Sequence, residues 1–289
     1  MKPAAFEYCR PDTVAEAVAL LTEFDGEASV LSGGMSLGPM LNMRLVRPQA
    51  VVDIKHLRSL EGIEVRSGEV WTGGLVRQAD ALKSETLART VPLLALALPF
   101  VGHFQTRNRG TLGGSVAHAD PSAELPLCLA TLGGQVELGG RRRRRRVAAR
   151  DFFLGTFTTS REPAELLTGL LWPRREPRTG YAFDEMAHRH GDFAIVAVAA
   201  AATVTPDGRV ERLSVGLGGV EDRPMVGDTG AFLGHPATPD TATAVAEALA
   251  ERCDPMTDMK ASADYRRALV RELTGRTVAR AFDQARREP

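Results

Sequence analysis

Two short segments of this sequence place a glycine pair between hydroxyl side chains. The first, LSGGMSL, spans residues 31–37, and the second, TLGGS, spans residues 111–115. Adjacent glycines allow the backbone to adopt positive φ and to bring bare N–H groups close to a ligand, which is how a chain holds phosphate. Two such loops could hold one pyrophosphate. The alternative for either pair alone is an ordinary turn.

Histidines and acids follow the second segment. His118 and Asp120 could form an acid–base pair, or Asp120 could cap a helix entered at Pro121. His188 and His190 would share one face of a strand, but a zinc site needs further ligands that the sequence does not place beside them. The one GxSxG match, residues 34–38, lies within the first glycine segment, and no GxGxxG occurs, which argues against a Rossmann site. The residues therefore favour a nucleotide-bearing cofactor that brings its own reactivity.

Composition excludes several other classes. Lys plus Arg and Asp plus Glu both total 36, so there is no overall charge to favour nucleic acid or an anionic membrane. Six consecutive arginines, Arg141–Arg146, could dock an acidic partner or form a solvated hairpin tip. Three cysteines cannot supply a four-cysteine iron–sulfur or zinc site. The odd cysteine count and the absence of a signal-peptide pattern predict a cytoplasmic protein, and no apolar run is long enough to span a membrane.

The order of elements predicts an α+β fold. A helix after Thr13 and buried strands at 28–31 and 50–54 make a small α/β lobe. A hairpin from Ile63 opens a second lobe, with helices at 78–87, 92–100 and 125–132 and strands at 135–138 and 166–172. Beyond a linker at 173–177 come three strand candidates, 181–187, 193–204 and 210–217, and two helices, 240–252 and 263–282. The alanine-rich second candidate could be strand or helix.

The sequence around the two glycine segments resembles the FAD-binding medium subunit of molybdenum-containing hydroxylases. This family includes the carbon monoxide dehydrogenase medium subunit, and the same module lies inside xanthine dehydrogenase. The motifs that carry the resemblance are RNRG at 107–110, HADPSAELP at 118–126, LVRP at 45–48, GDFA at 191–194 and SADYR at 262–266. It implies a two-lobed FAD-binding domain of the PCMH type, similar to vanillyl-alcohol oxidase, over residues 1–173 with lobes of about 1–55 and 56–173. A C-terminal α+β domain with a three-stranded antiparallel sheet would cover 174–289.

The resemblance also implies roles for particular residues. Both glycine segments would wrap the FAD pyrophosphate through N–H and hydroxyl groups, Glu124 would be an acidic FAD contact, and Phe193 would lie over the flavin ring. Val101 stands where a relative has an aromatic residue, so that ring stacking would be lost or supplied by Phe100 or Phe104. The implied FAD-binding residues are Val30, Leu31, Ser32, Gly33, Gly34, Met35, Ser36, Leu37, Val101, Thr111, Leu112, Gly113, Gly114, Ser115, Asp120, Glu124, Leu166, Leu167, Glu185 and Phe193.

One departure from the family is the acidic pair Asp184 and Glu185, where many relatives have a lysine near the flavin. If Glu185 approaches the flavin, its charge would disfavour a negatively charged reduced ring; alternatively, Glu185 faces solvent. The acceptor that usually follows the flavin is therefore in doubt.

The resemblance implies a protein that carries out redox chemistry on FAD with no catalytic side chain and no metal of its own. A large molybdopterin-binding subunit would hydroxylate the substrate, a small [2Fe–2S] subunit would relay the electrons, and this chain would pass them to an external acceptor such as NAD or a quinone, as part of a heterotrimer. The alternatives are a standalone flavoprotein oxidoreductase and a non-enzymatic module that binds another phosphate ligand. The substrate, the acceptor, the stoichiometry and the role of the arginine run cannot be read from the sequence.

Overall fold

The computed structural model describes residues 2–287. The first lobe is a three-stranded parallel sheet in the order β1-β3-β2, flanked by two helices. Thr13 caps the first helix, because its Oγ1 accepts a hydrogen bond of 3.1 Å from the Glu16 N–H. The elements are β1 (Glu7–Cys9), α1 (Val14–Glu23), β2 (Ala28–Leu31), α2 (Leu37–Asn42) and β3 (Ala50–Asp53).

The second lobe is built on a five-stranded antiparallel sheet in the order β4-β5-β10-β6-β7, with a separate two-stranded β8–β9 sheet. Its elements are a 3-10 helix (Arg58–Leu60), β4 (Ile63–Val65), β5 (Glu69–Gly73), α3 (Gln78–Lys83), α4 (Glu85–Thr90), α5 (Pro92–Ala97), α6 (Phe104–Arg109), α7 (Leu112–His118), α8 (Glu124–Thr131), β6 (Gln135–Gly139), β7 (Arg144–Ala148), α9 (Ala149–Phe152), β8 (Phe153–Gly155), β9 (Thr158–Thr159) and β10 (Leu166–Pro173).

The single helix predicted over residues 78–87 is wrong: the structure has two short helices, α3 and α4. The break lies at Ser84, whose hydroxyl accepts a hydrogen bond of 3.2 Å from the Leu87 N–H and so caps α4. Serine competes for backbone hydrogen bonds in this way, which makes it a frequent start of helices and a poor residue inside them.

The C-terminal part is a four-stranded antiparallel sheet in the order β11-β12-β13-β14, covered by two helices. The three predicted strands are present, and a fourth of two residues, too short to show any periodicity, adds to the edge. The elements are β11 (Thr179–Met186), β12 (Val196–Val204), β13 (Val210–Gly218), β14 (Met225–Val226), a 3-10 helix (Gly230–Phe232), α10 (Pro239–Arg252) and α11 (Ala263–Arg287).

The ambiguous alanine-rich segment is the strand β12, buried on both faces. One face contributes Ala197 and Ala199 to the core of the FAD-binding region, and the other contributes Val198 and Ala200 to the core beneath α11. A Cβ on Gly180 of the neighbouring strand would overlap the carbonyl oxygen of Ala281, so α11 sits directly on the strand backbones. Tertiary packing against small side chains therefore overrides the helix propensity of alanine.

None of the helices within residues 2–287 combines the length and the apolar character needed to cross a membrane.

Candidate cofactor-binding site

A cavity of about 510 Å³ lies where the two lobes meet the connection between β11 and β12. This volume falls in the roughly 300–1,000 Å³ range of ligand pockets. The first lobe contributes β2 and the loop after it, the second lobe contributes α7 and the start of β10, and the β11–β12 connection contributes Gly191, Asp192 and Phe193. The predicted binding residues from all three regions therefore come together at one pocket.

The first glycine loop presents unused backbone donors to this pocket. Gly33, Gly34 and Met35 line it, and within the described chain their N–H groups have no hydrogen-bond acceptor. Gly34 has a φ of 73°, a conformation that L side chains rarely adopt. The Ser36 hydroxyl makes no capping bond to α2. A loop of free donors beside a left-handed glycine is suited to a phosphate group.

The first loop also packs closely on the segment that precedes the second glycine pair. A Cβ on Gly33 would overlap the carbonyl oxygen of Arg109, which leaves room for no side chain at this position. Ser32 Oγ and Thr111 Oγ1 lie 2.8 Å apart in a hydrogen bond that joins the two segments. The two glycine segments thus form adjoining parts of one wall.

The second segment is not a positive-φ turn, and that prediction is wrong. Residues 112–118 form the helix α7, and the Thr111 hydroxyl caps it by accepting a 2.9 Å hydrogen bond from the Gly114 N–H. The N–H groups of Leu112 and Gly113 donate to the carbonyls of Val76 and Gly74 at 2.9 and 3.1 Å. Ser115 donates to the Thr111 carbonyl. Because these four of its five backbone donors are used inside the protein, the segment can offer a ligand only the Thr111 N–H and its hydroxyl groups.

The acids after α7 lie at the pocket in unequal environments. Asp120 lines the pocket, and its Oδ1 accepts a 2.9 Å hydrogen bond from the Ser122 N–H. Helix α8 starts at Glu124 with Ala123 at its cap, so Asp120 is not the helix cap considered above. Burial lowers the pKa of His118, although Asp120 acts in the opposite direction, and the imidazole packs 4.8 Å from the Phe157 ring.

Glu124 is one of the most buried charged side chains of the chain, with 5% of its surface exposed, and it lines the pocket. Burial raises its pKa to about 7, with a further contribution from the charge of Asp120. Glu185 is not among the lining residues. It is half-buried, with a buried Oε2 that has no hydrogen-bond partner in the described chain, so it does not simply face solvent, and its approach to the flavin stays a prediction. Burial, Glu124 and Asp184 together raise the pKa of Glu185 to about 8.

Phe193 supplies an aromatic ring at the pocket. It lines the cavity with half of its surface exposed, and Lys260 Nζ lies 5.3 Å from the ring centroid. Phe100 packs on Phe183 at 5.2 Å, and Phe104 lies on a separate surface, so neither replaces an aromatic residue at Val101. Of the two alternatives for Val101, supply of the ring by Phe100 or Phe104 is therefore not supported by this pocket lining.

Two more of the predicted residues do not line the pocket. Leu31 belongs to β2, and Leu112 is fully buried in the core under α7. The remaining predicted residues do line it: Val30, Ser32, Gly33, Gly34, Met35, Ser36, Leu37, Val101, Thr111, Gly113, Gly114, Ser115, Asp120, Glu124, Leu166, Leu167 and Phe193.

Sequence reasoning missed Gln78 and Arg161, which also line the pocket. Gln78 is buried, and its Oε1 has no hydrogen-bond partner in the described chain. The Nη1 of Arg161 donates to the carbonyls of Glu162, Pro163 and Glu165 at 2.8–3.1 Å, which fixes the guanidinium beside the cavity. Neither residue belongs to a motif, so the sequence carried no signal for them.

These groups fit FAD. Free N–H donors and a serine hydroxyl suit the pyrophosphate, the unpartnered Gln78 oxygen suits a ligand donor, and Phe193 suits a ring. When bound, FAD supplies the redox chemistry, and the protein supplies grip and electrostatics.

Comparison with known proteins agrees with this assignment. The family model described as the FAD binding domain in molybdopterin dehydrogenase matches residues 4–175, and that of the CO dehydrogenase flavoprotein C-terminal domain matches residues 181–281. The nicotine 6-hydroxylase medium subunit of Paenarthrobacter nicotinovorans is 36% identical over 97% of this chain and 99% of its own. The carbon monoxide dehydrogenase medium chain of Afipia carboxidovorans is 34% identical over 99% of this chain and 100% of its own.

Solved structures give the same result. Carbon monoxide dehydrogenase from Hydrogenophaga pseudoflava superposes with a TM-score of 0.95 at 32% identity, covering 98% of this chain and 99% of that one. Quinoline 2-oxidoreductase from Pseudomonas putida 86 superposes with a TM-score of 0.94 at 35% identity, covering 99% of this chain and 100% of that one. The chain therefore belongs to the family of FAD-binding medium subunits of multi-subunit molybdenum hydroxylases, and it is an oxidoreductase subunit whose cofactor is FAD.

Proposed function

We propose that this chain receives electrons from [2Fe–2S] clusters of a small partner subunit and passes them from FAD to an external acceptor such as NAD or a quinone. A large molybdopterin-binding subunit would hydroxylate the substrate in the same complex. The observation that carries the proposal is a pocket suited to FAD in a chain whose residues 2–287 hold no ligand set for an electron-relaying cluster.

The cysteines support this division of labour. Cys9, Cys128 and Cys253 are all buried, and each belongs to a different hydrophobic core. Three separated thiols cannot form the four-cysteine site of an iron–sulfur cluster. Electrons that reach FAD from a cluster must therefore come from another chain. Three free cysteines without disulfides are also the basis on which we propose a cytoplasmic location.

We further propose that the Ser32–Ser36 loop holds the FAD pyrophosphate and that Phe193 lies at the flavin ring. Their support is the free N–H groups of the loop and the exposed aromatic face at the pocket. We retain the proposed division into domains at about residues 173 and 174. It is supported by the end of β10 at Pro173 and by the meeting of the two family matches between residues 175 and 181.

Purification tests the proposed function. An affinity-tagged chain produced in the organism that encodes it should co-purify with molybdenum, iron and FAD in fixed ratio, and its substrate should bleach the iron–sulfur and flavin absorption together. Removal of FAD should leave the clusters reducible by substrate but should stop transfer to the acceptor. A flavoprotein that purifies alone and turns over a substrate without molybdenum or iron would instead establish the standalone oxidoreductase.

A further inference from the structure

Two carboxyl groups, that of the buried Glu124 and that of the half-buried Glu185, lie close together beside the pocket without a cationic partner. Glu124 opens helix α8 and lines the pocket, and Glu185 belongs to β11. Cys128 lies one turn after Glu124 on α8. Burial raises the pKa of its thiol most, and the charges of Glu124 and Glu185 raise that pKa further. The two carboxyl groups therefore share one site between α8 and β11.

Strand geometry directs Glu185 toward the FAD-binding region. Successive side chains of a strand point to opposite faces. Tyr181 and Phe183 belong to the core of the FAD-binding region, and Glu185 follows them on the same face. Asp184 points to the other face, where its Oδ2 accepts hydrogen bonds from Arg276 and Arg280 of α11 at 2.9 and 3.0 Å. The arginines thus neutralise Asp184 and leave Glu185 without a cation.

The register of the sheet leads from Glu185 to the start of α8. Glu185 pairs with Ala197, and Ala197 pairs with Gly218, in one row across β11, β12 and β13. The next residue, Gly219, donates its N–H to the Pro121 carbonyl at 2.9 Å. Pro121 stands three residues before Glu124, so the row of the sheet that carries Glu185 packs beneath the N-terminus of α8.

The charged side chains that shift the pKa of Glu124 or Glu185 are all acidic. Burial is the largest cause of the raised pKa of Glu124, and the charge of Asp120 raises it further. The pKa of Glu185 is raised most by burial, then by the charge of Glu124 and then by that of Asp184. His118 on α7 has a lowered pKa and is therefore neutral at pH 7, and the raised pKa of the Cys128 thiol keeps it protonated. Among residues 2–287, no lysine or arginine lowers the pKa of either glutamate. Two interacting carboxyls in such a setting lose their protons in two joint steps.

We propose that Glu124 and Glu185 form a proton-binding pair that holds one proton near neutral pH and takes up a second proton when bound FAD is reduced. The inference rests on the FAD-binding assignment. Two electrons arrive at FAD from an iron–sulfur donor, and one proton from solvent converts the remaining carboxylate of the pair to a carboxylic acid. The captured proton balances the added negative charge.

The direction of the effect follows from the pKa values. The pKa of Glu124 is about 7 and that of Glu185 is about 8, so between these values the pair with oxidised FAD carries about one negative charge. Negative charge on reduced FAD raises the pKa of a nearby carboxyl. Reduction between pH 7 and pH 8 should therefore draw one proton to the pair, and this uptake should fade below the lower value, where both carboxyls are already protonated.

The test is the pH dependence of the reduction potential of the FAD-loaded chain, which reports the protons bound per two electrons. Between pH 7 and pH 8, the wild type should bind about one proton more than the double variant Glu124→Gln and Glu185→Gln. The single variant Glu124→Gln should move the uptake to lower pH, because the charge that raises the pKa of Glu185 is gone. Glu221→Gln is the matched control: it removes a carboxyl whose pKa burial also raises, but which does not line the pocket.

A second measurement covers the case in which the double variant loses FAD. The infrared band of protonated carboxyl groups in the FAD-free chain should persist above pH 7 in the wild type and in Glu221→Gln, and should be lost from that range in the double variant. The proposal is overturned if the wild type and the double variant bind equal numbers of protons on reduction, or if their infrared bands titrate alike. A chain that shows the carboxyl band but binds no FAD would contradict the FAD assignment and leave the proton-binding pair intact.

Discussion

The first glycine loop and the second glycine segment look alike in sequence but are built differently. Gly34 in the first adopts positive φ beside free N–H groups, whereas Gly113 and Gly114 in the second lie inside α7 with their N–H groups bonded. A Cβ on Gly113 would lie 2.6 Å from the Gly74 backbone. The glycines of the first loop leave backbone N–H groups accessible to a ligand, whereas the glycines of the second segment allow two backbones to approach closely.

The substitution Gly33→Val should have the largest effect. Its side chain would overlap the Arg109 carbonyl, a backbone group that cannot turn aside. Overpacking of this kind costs about 1–3 kcal/mol or more, so we expect FAD affinity to fall on the order of 100-fold, measured by fluorescence titration of the apoprotein. Gly38→Ala is the control, since a Cβ there meets nothing within 4 Å. Equal losses in both variants would contradict a specific contact at Gly33.

Gly114→Val should have the next largest effect, but not through strained φ, because this glycine is helical. A Cβ would lie 2.8 Å from Thr111 Oγ1 and 3.6 Å from Ser32 Oγ, and so would disturb the bond between the two segments. We expect a loss of FAD affinity of about tenfold, corresponding to about 1.4 kcal/mol, in a protein that still folds. Gly275→Ala in α11 is the helical control. Stoichiometric FAD with unchanged affinity in Gly114→Val would show that this segment does not shape the pocket.

Gly34→Ala tests the positive φ of the first loop. Because L residues in the left-handed region cost roughly 1–2 kcal/mol, we expect FAD affinity to fall about five- to tenfold. Gly114→Ala should cost less, because its helical φ is unstrained and its Cβ meets side-chain oxygens rather than backbone. Isothermal titration of both variants compares the two segments directly, and a larger loss in Gly114→Ala would reverse their assigned roles.

The smallest effect concerns the bond between the segments. Ser32→Ala and Thr111→Val each remove one side of the 2.8 Å hydrogen bond. A double-mutant cycle on chemical unfolding should give a coupling energy of about 1 kcal/mol, with a larger single loss at Thr111 because it also caps α7. Strictly additive losses would mean that the two hydroxyls do not stabilise each other.

Local signals made much of the fold predictable. The spacing of Thr13 and Glu16 predicted the start of α1, and Ser67-Gly68 predicted the turn between β4 and β5. Pro92 marked the first residue of α5. Helix α7 escaped prediction because Gly113 and Gly114 have low helix propensity. The helix forms since Thr111 caps it and the Gly74 backbone fits against it. That approach depends on residues distant in sequence, which no local pattern records.

The candidate site divides in the same way. The pocket lining by the first loop, Asp120, Glu124 and Phe193 was predicted from three short motifs, at residues 31–37, 118–126 and 191–194, each of which is recognisable from consecutive residues. Gln78 and Arg161 enter the pocket only because folding places the start of α3 and the connection between β9 and β10 there. The face of β11 on which Glu185 lies follows from strand alternation, which is fixed only after β11 is paired.

Helix α11 packs directly on the backbone of β11, and this contact limits which segments can be exchanged between members of the family. Gly180 accepts no side chain under Ala281, and β12 sends alternate residues into two cores at once. Tyr181 and Phe183 pack with the FAD-binding region although they follow the junction in sequence. We therefore expect chimaeras that exchange the C-terminal segment between relatives at residues 174–178 to fold poorly unless the β11 residues facing the FAD-binding region are exchanged back. The C-terminal sheet should therefore be exchanged together with the residues that pack on both of its faces.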